Sequence, residues 1–259
     1  VTRVDALALV GGAAVVVSVS MLGALGAAEA HRRLFRRAPG LPEVALGLFG
    51  LIGTASVLTV GLLLAWRVPF DAVEMSSLAS PSFVAALLGT LGGHLAILAW
   101  AVALGATLGL ERASARWFAV AVAGGGGAVL LSAGWTLLAE LAGRTVEDQE
   151  LVRALMSSPA GPARALVLLF VVVLAPVLEE LVFRGYVQTA VSARLGAWPA
   201  IGISAVLFGL FHLSDPHVVP VLTAVGVGLG WLRHRCGSVV PPILAHVLNN
   251  TLAMILAFA

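Results

Sequence analysis

Residues 163–187 read "ARALVLLFVVVLAPVLEELVFRGYV", and the reading of this stretch decides what kind of chain this is. Up to Leu178 it carries a single charge, Arg164, among otherwise apolar side chains. A run of that length and character is what a bilayer-crossing helix looks like. Glu179, Glu180 and Arg184 then interrupt it. A charge near mid-membrane costs about 3 kcal/mol on insertion scales, so such residues are expected to face a bundle interior and to act there.

Composition extends this reading to the whole chain. Of 259 residues, 60% are hydrophobic and 11% charged, against about 25% charged in ordinary soluble domains. The mean hydropathy is +1.04. Apolar stretches of helix length recur along the sequence, whereas the short alternating segments of a membrane barrel do not. The expected fold is therefore all-α, a polytopic membrane bundle of about eight helices. They are read at 5–28, 42–65, 82–110, 117–142, 165–193, 197–213, 217–234 and 239–258. The first segment ends in the small-residue run "GALGAAEA" and resembles a signal peptide. Its basic part is only Arg3 and a dense Arg cluster follows, so it is kept as a span.

Charge and cysteine narrow the function classes. The single Cys236 excludes an intrachain disulfide and lacks metal-site spacing. All 15 basic residues are arginine. With abundant Ala and Gly, that points to a GC-rich, bacterial genome rather than to function. A net charge of +2 gives no reason to invoke nucleic acid. Arg32, Arg33, Arg36 and Arg37 read as a topology signal beside a span. With the N-terminus outside, inner connections hold ten arginines and the outer side holds Arg3, Arg67, Arg144, Arg153 and Arg164. The expected location is the cytoplasmic (inner) membrane, multi-pass, with both termini extracytoplasmic.

Three regions are expected: membrane helices over 1–142, an extracytoplasmic loop over 143–163, and a catalytic core over 164–259. The "ELVRALM" of the loop is read as irregular, with a short amphipathic helix as the alternative. "GGGG" at 124–127 lies inside a span, where small residues allow close helix contact.

Polar residues concentrate in the last four spans. Glu180 and Arg184 are an i,i+4 pair with the acid first, the better order for an ion pair. Phe208 and His212 in "VLFGLFHLSDP" repeat that spacing, as do His246 and Asn250 in "PPILAHVLNNTLA". If the chain turns back near Gly196, Glu179 and His212 both lie about 25 Å from the turn and are expected to meet. Pro176 is expected to free a carbonyl and kink its helix. Ser214 or Asp215 is expected to cap the next helix, with Pro216 at its first position. His94 in "LGGHLAIL" is read as a satisfied packing histidine, and Glu43 and Glu140 as carboxylates near helix ends in reach of water. Asn249, turned about 100° from Asn250, is expected to be uninvolved.

"EELVFR", "FGLFH" and "HVLNN" fit the patterns EExxxR, FxxxH and HxxxN, in that order. Residues 165–258 thereby resemble the CPBP family of intramembrane proteases, also called the Abi or type II CAAX protease family, which includes the Ras-converting CAAX endopeptidase. The resemblance implies that Glu179 activates water with His212, that His246 and Asn250 line an oxyanion hole, and that Glu180 with Arg184 supports the site. It implies a peptide or protein substrate with a membrane-associated segment, in contact with membrane lipid. A glutamate mechanism without cofactor is favoured, because there is no HExxH and Cys236 stands alone. The alternative is a zinc enzyme with Glu179, His212 and His246 as ligands. A proton-coupled carrier or a non-catalytic membrane protein using the same buried charges is the remaining alternative class.

Overall fold

The computed structural model describes residues 40–69, 77–78, 80–106, 108–144 and 149–259. The expected span at 5–28 and the Arg cluster at 32–37 lie outside them. All regular structure among the described residues is helical: α1 (Leu41–Ala65), α2 (Pro81–Ala103), α3 (Ala115–Leu141), α4 (Glu150–Ser157), α5 (Pro162–Leu195), α6 (Ala197–Leu210), α7 (Val219–Cys236) and α8 (Val240–Ala257). Five of them, α1, α2, α3, α5 and α8, are long and apolar enough to cross a membrane. The chain is a polytopic helical membrane protein. The shorter α6 has 14 residues, about 21 Å at 1.5 Å per residue and less than a bilayer core.

Where the expected boundaries fail, the backbone gives the reason. The segment expected to run to 110 stops at Ala103, because Gly105 takes φ 80° and its N–H and that of Ala106 close on the carbonyls of Val102 and Ala101. Such a left-handed glycine ends a helix at no steric cost. The 143–163 segment is not all loop: α4 forms within it, the amphipathic alternative, with Ala154 and Leu155 buried. Pro216 does occupy a first helical position after Asp215, but of a 3₁₀ turn (Pro216–Val218) that precedes α7 and has no side-chain cap bond.

The chain divides into two compact units, residues 1–106 and 107–259. In the first, α1 and α2 form a close hairpin. A Cβ on Gly93 would stand 2.6 Å from the Leu51 carbonyl oxygen, so only glycine permits this approach. Glu43 does not reach water. It is buried, and its Oε2 accepts the Gly40 N–H at 2.9 Å, capping its own helix.

In the second unit, α5 runs for 34 residues. Gly196, at φ 83°, turns the chain into the antiparallel α6 as the sequence indicates. Gly209 of α6 lies against Thr223 and the Val219 carbonyl, and Gly226 of α7 lies against Ala205. These glycines bring α6 and α7 into near backbone contact. Gly237 (φ 72°) ends α7 and leads into α8. Of the four glycines 124–127 only Gly125 meets a neighbour: a Cβ there would stand 2.8 Å from the Ala245 carbonyl oxygen and 2.9 Å from the Leu248 Cβ. The run thus seats α3 on α8 through one residue, directly beside His246 and Asn249.

That asymmetry is testable. Gly125→Ala forces α3 and α8 apart and is expected to cost about 1–3 kcal/mol. Gly126→Ala meets open space and improves helix propensity, so it should melt at or above wild type. Thermal unfolding of the two purified variants in detergent checks this; equal losses would refute the single-contact account.

Candidate active site

The site begins with an irregularity in α5. Pro176 has no N–H, and the helix widens into a π stretch over Phe170–Leu174, where the Ala175 N–H bonds the Phe170 carbonyl five residues back. In that register the Val171 carbonyl falls to residue 176, which cannot donate. Its donor comes from another helix: Asn250 Nδ2 on α8, at 2.9 Å. The freed carbonyl expected from Pro176 is therefore what tethers a site residue. A second π stretch spans Leu181–Val187. There the Phe183 carbonyl accepts the Ser204 hydroxyl of α6 at 2.8 Å.

Between the two π stretches lie the paired glutamates. Glu180 is 0% exposed, and its Oε1 accepts two hydrogen bonds. Arg184 Nη1 donates at 2.8 Å from one turn along, and His246 Nδ1 donates at 2.9 Å from α8. Arg184, also 0% exposed, donates through Nη2 to the Gly226 carbonyl of α7 at 3.1 Å. Its guanidinium lies 4.6 Å over the Phe208 ring of α6, a cation–π contact that desolvation strengthens. One turn further, Gln188 Nε2 donates to the Gly230 carbonyl at 2.8 Å. Glu180, Arg184 and Gln188 thus form one stripe along α5. Nothing in the motif spacing singles out Gln188; its signal is the matching four-residue spacing of Gly226 and Gly230.

Glu179 stands about 100° round the helix from Glu180 and keeps 17% of its side chain exposed. Its Oε2 faces His246 Nε2 at 3.8 Å. Because His246 Nδ1 carries its hydrogen to Glu180, Nε2 is the nitrogen turned to Glu179. The pairing differs from the sequence expectation, which joined Glu179 to His212. The hairpin register itself is as expected: Phe183 meets Phe208 and Phe211 edge-on, at 5.5 and 5.2 Å. But α6 ends at Leu210, so His212 sits in the turn beyond it and makes no ion pair with Glu179 within 4.0 Å. His212 Nδ1 donates to the Phe208 carbonyl at 3.0 Å. Phe208 is the hub, its ring 5.2 Å from that of His212 and 5.6 Å from that of His246.

Asn249 and His94 both differ from their sequence reading. Asn249 is not idle: its Nδ2 donates to Asn250 Oδ1 at 3.0 Å. His94, in the other unit, is only half satisfied, with Nδ1 on the Thr90 carbonyl at 2.8 Å and Nε2 buried with no hydrogen-bond partner among the described residues. Among the described residues, no three His, Cys, Asp or Glu side chains converge to hold a metal ion. Glu179 and His246 face each other, but His212 does not join them as a third ligand. An open apolar groove of about 520 Å³ lies between α5 and α8, lined by Val172, Val173, Thr251 and Met254 among others; Glu179, His212, His246 and Asn250 are not in its lining.

Comparison with known proteins falls on this same region. Residues 161–252 match the family model described as "Type II CAAX prenyl endopeptidase Rce1-like". That segment contains Glu179, Glu180, Arg184, His212, His246 and Asn250. Among curated proteins, "Putative membrane peptidase YdiL" of Bacillus subtilis (strain 168) is 32% identical over 84 residues, which are 32% of this chain and 34% of that protein. The chain spans about a third of the length of the curated relative it matches. No solved structure matches it significantly.

The buried pair yields a stability prediction separate from activity. Arg184→Met leaves the Glu180 carboxylate buried without its cation, a change that typically costs about 3–5 kcal/mol. Thermal melting should show a large loss for Arg184→Met and partial recovery in Glu180→Gln/Arg184→Met. Glu179→Gln, at a partly open position, should melt like wild type. A harmless Arg184→Met would show that the pair does not hold these helices.

Proposed function

We propose that the chain, whose residues 161–252 match the Rce1-like type II CAAX endopeptidase family, is a membrane protease of that kind, an intramembrane endopeptidase of the glutamate type. The observation that carries this reading is the arrangement around His246. A partly open carboxylate, Glu179, faces one ring nitrogen, while the other is held by a fully buried Glu180–Arg184 pair. A structural ion pair needs no second, half-open glutamate beside it.

In this reading Glu179 takes a proton from water as the water oxygen attacks a peptide carbonyl carbon. His212, anchored through Nδ1, keeps Nε2 free to hold that water. The carbonyl π electrons move to oxygen, and the second N–H of Asn250 Nδ2 donates to the oxyanion. His246 donates beside it through Nε2, which requires the doubly protonated ring. As the C–N bond breaks, Glu179 returns its proton to the leaving nitrogen, giving a carboxylic acid and an amine. Glu180, Arg184 and Gln188 hold the frame. No step in this reading needs a metal.

The substrate class is a peptide or protein with a membrane-associated segment, as the family match suggests. The same reading assigns catalysis to 164–259 and makes 1–142 the accompanying membrane helices. The arginine distribution supports the cytoplasmic membrane, with 143–163 on the extracytoplasmic side.

Two experiments test the proposal. Glu179→Gln and His212→Ala should each lower cleavage of a membrane-anchored peptide substrate by at least about 10²-fold, with folding intact; near-normal turnover in either variant contradicts the assignment. EDTA or 1,10-phenanthroline should leave the purified enzyme active, whereas inactivation reversed by zinc would make this a metalloprotease.

A further inference from the structure

Asn249 and Asn250 are adjacent on a helix, and adjacent residues do not normally face each other. Their side chains are nevertheless bonded, at 3.0 Å. At its other end the Asn250 amide is bonded to the carbonyl that Pro176 leaves without a backbone donor. Resting on the oxyanion reading of Asn250, we propose that Asn249 and Pro176 are positioning residues that fix the orientation of the Asn250 amide from opposite sides.

The two contacts select the same orientation. Turning the amide over would set Asn250 Oδ1 against the Val171 carbonyl oxygen, two acceptors, and Nδ2 against Asn249 Nδ2, two donors. Both bonds would be lost and replaced by repulsive contacts. In the observed orientation Oδ1 is occupied, one hydrogen of Nδ2 is occupied, and the second hydrogen has no protein partner among the described residues. That remaining hydrogen is the one available to a developing oxyanion. Its direction is set before substrate arrives, which is the condition under which such a donor is most effective. Pro176 acts by what it lacks. Any other residue at 176 would supply an N–H that, in the π register, competes with Asn250 for the Val171 carbonyl. The i,i+4 motif of His246 and Asn250 explains neither residue.

The chain contains only two asparagines, Asn249 and Asn250, so the test can be read without a substrate. Full-length protein labelled with side-chain ¹⁵N asparagine, in detergent micelles, gives two NH₂ pairs. In wild type the Asn250 pair should show one hydrogen protected from exchange and one exposed. In Asn249→Ala a single pair remains and should lose that inequality, and Pro176→Ala should remove the protected hydrogen. Unchanged protection in both variants overturns the proposal.

Kinetics on a quenched fluorogenic peptide, one whose cleavage Glu179→Gln abolishes, supplies the second readout. Asn249→Ala should lower kcat about tenfold with little change in KM, less than the 10²–10³ expected for losing the donor itself. Asn249→Asp sets a carboxylate against Oδ1 and should be worse at neutral pH. It should recover relative to wild type as the pH falls and the carboxyl becomes a donor, a profile that a packing role does not produce. If Asn250→Ala is crippled while Asn249→Ala and Asn249→Asp match wild type, the positioning role is wrong and the oxyanion reading stands. If Asn250→Ala is itself normal while Glu179→Gln is dead, both fail.

Discussion

The Glu180 carboxylate is the point on which the described C-terminal helices depend. It is wholly buried, and its Oε1 takes hydrogen bonds from Arg184 of its own helix and His246 of α8. Arg184 passes the connection to α7 through the Gly226 carbonyl and to α6 through the Phe208 ring. Four helices therefore answer to one carboxylate. The pair is not a large source of net stability, since taking two charges out of water offsets most of their attraction. Its effect is selective: arrangements of α5, α6, α7 and α8 that do not satisfy it leave a bare charge inside the membrane. That penalty excludes alternatives which apolar packing alone tolerates, because in lipid one apolar helix face is much like another.

The glycines make this connection possible. Arg184 reaches the Gly226 carbonyl because a Cβ at 226 would lie 3.3 Å from Nη2 and 3.1 Å from Ala205. Gly230 stands in the same relation to Gln188 and Ile201. Close backbone approach brings carbonyl oxygens within reach of side-chain donors, so small residues and polar residues work as one device. Gly125 serves the opposite face, supporting α8 behind His246 and Asn249. The part of α8 that bears His246 and Asn250 is thus held between a glycine contact on α3 and a carbonyl tether on α5.

Much of this was legible in the sequence, and the exceptions share a cause. The helices were legible from apolar run length, the Glu180–Arg184 pair from four-residue spacing, and the turn at Gly196 from the flanking runs. Those signals are local. Spacing alone does not show that Glu179 faces His246 directly, at 3.8 Å, because that depends on where α6 stops, and α6 ends at Leu210 just before His212. Gln188 was invisible because its carbonyl partner lies 42 residues away. Asn249 was dismissed on helical geometry, which fixes where a Cβ points and not where a short amide can swing. Glu43 was expected in water because helix ends usually are, whereas its own N-terminus claimed it.

The stripe on α5 has a mechanical meaning. Arg184 and Gln188 hold the carbonyls of Gly226 and Gly230, the same four-residue step on both helices. Small slips of α7 along α5 break both bonds at once, and the next position where a donor meets a glycine carbonyl is a full turn away, about 6 Å. The interface behaves as a toothed rack, with one seated position and a steep wall on either side. Relative motion within this unit must then come from elements outside the rack. The turn bearing His212, the 3₁₀ segment at Pro216–Val218 and the short α4 are among the parts of this unit that carry none of those teeth.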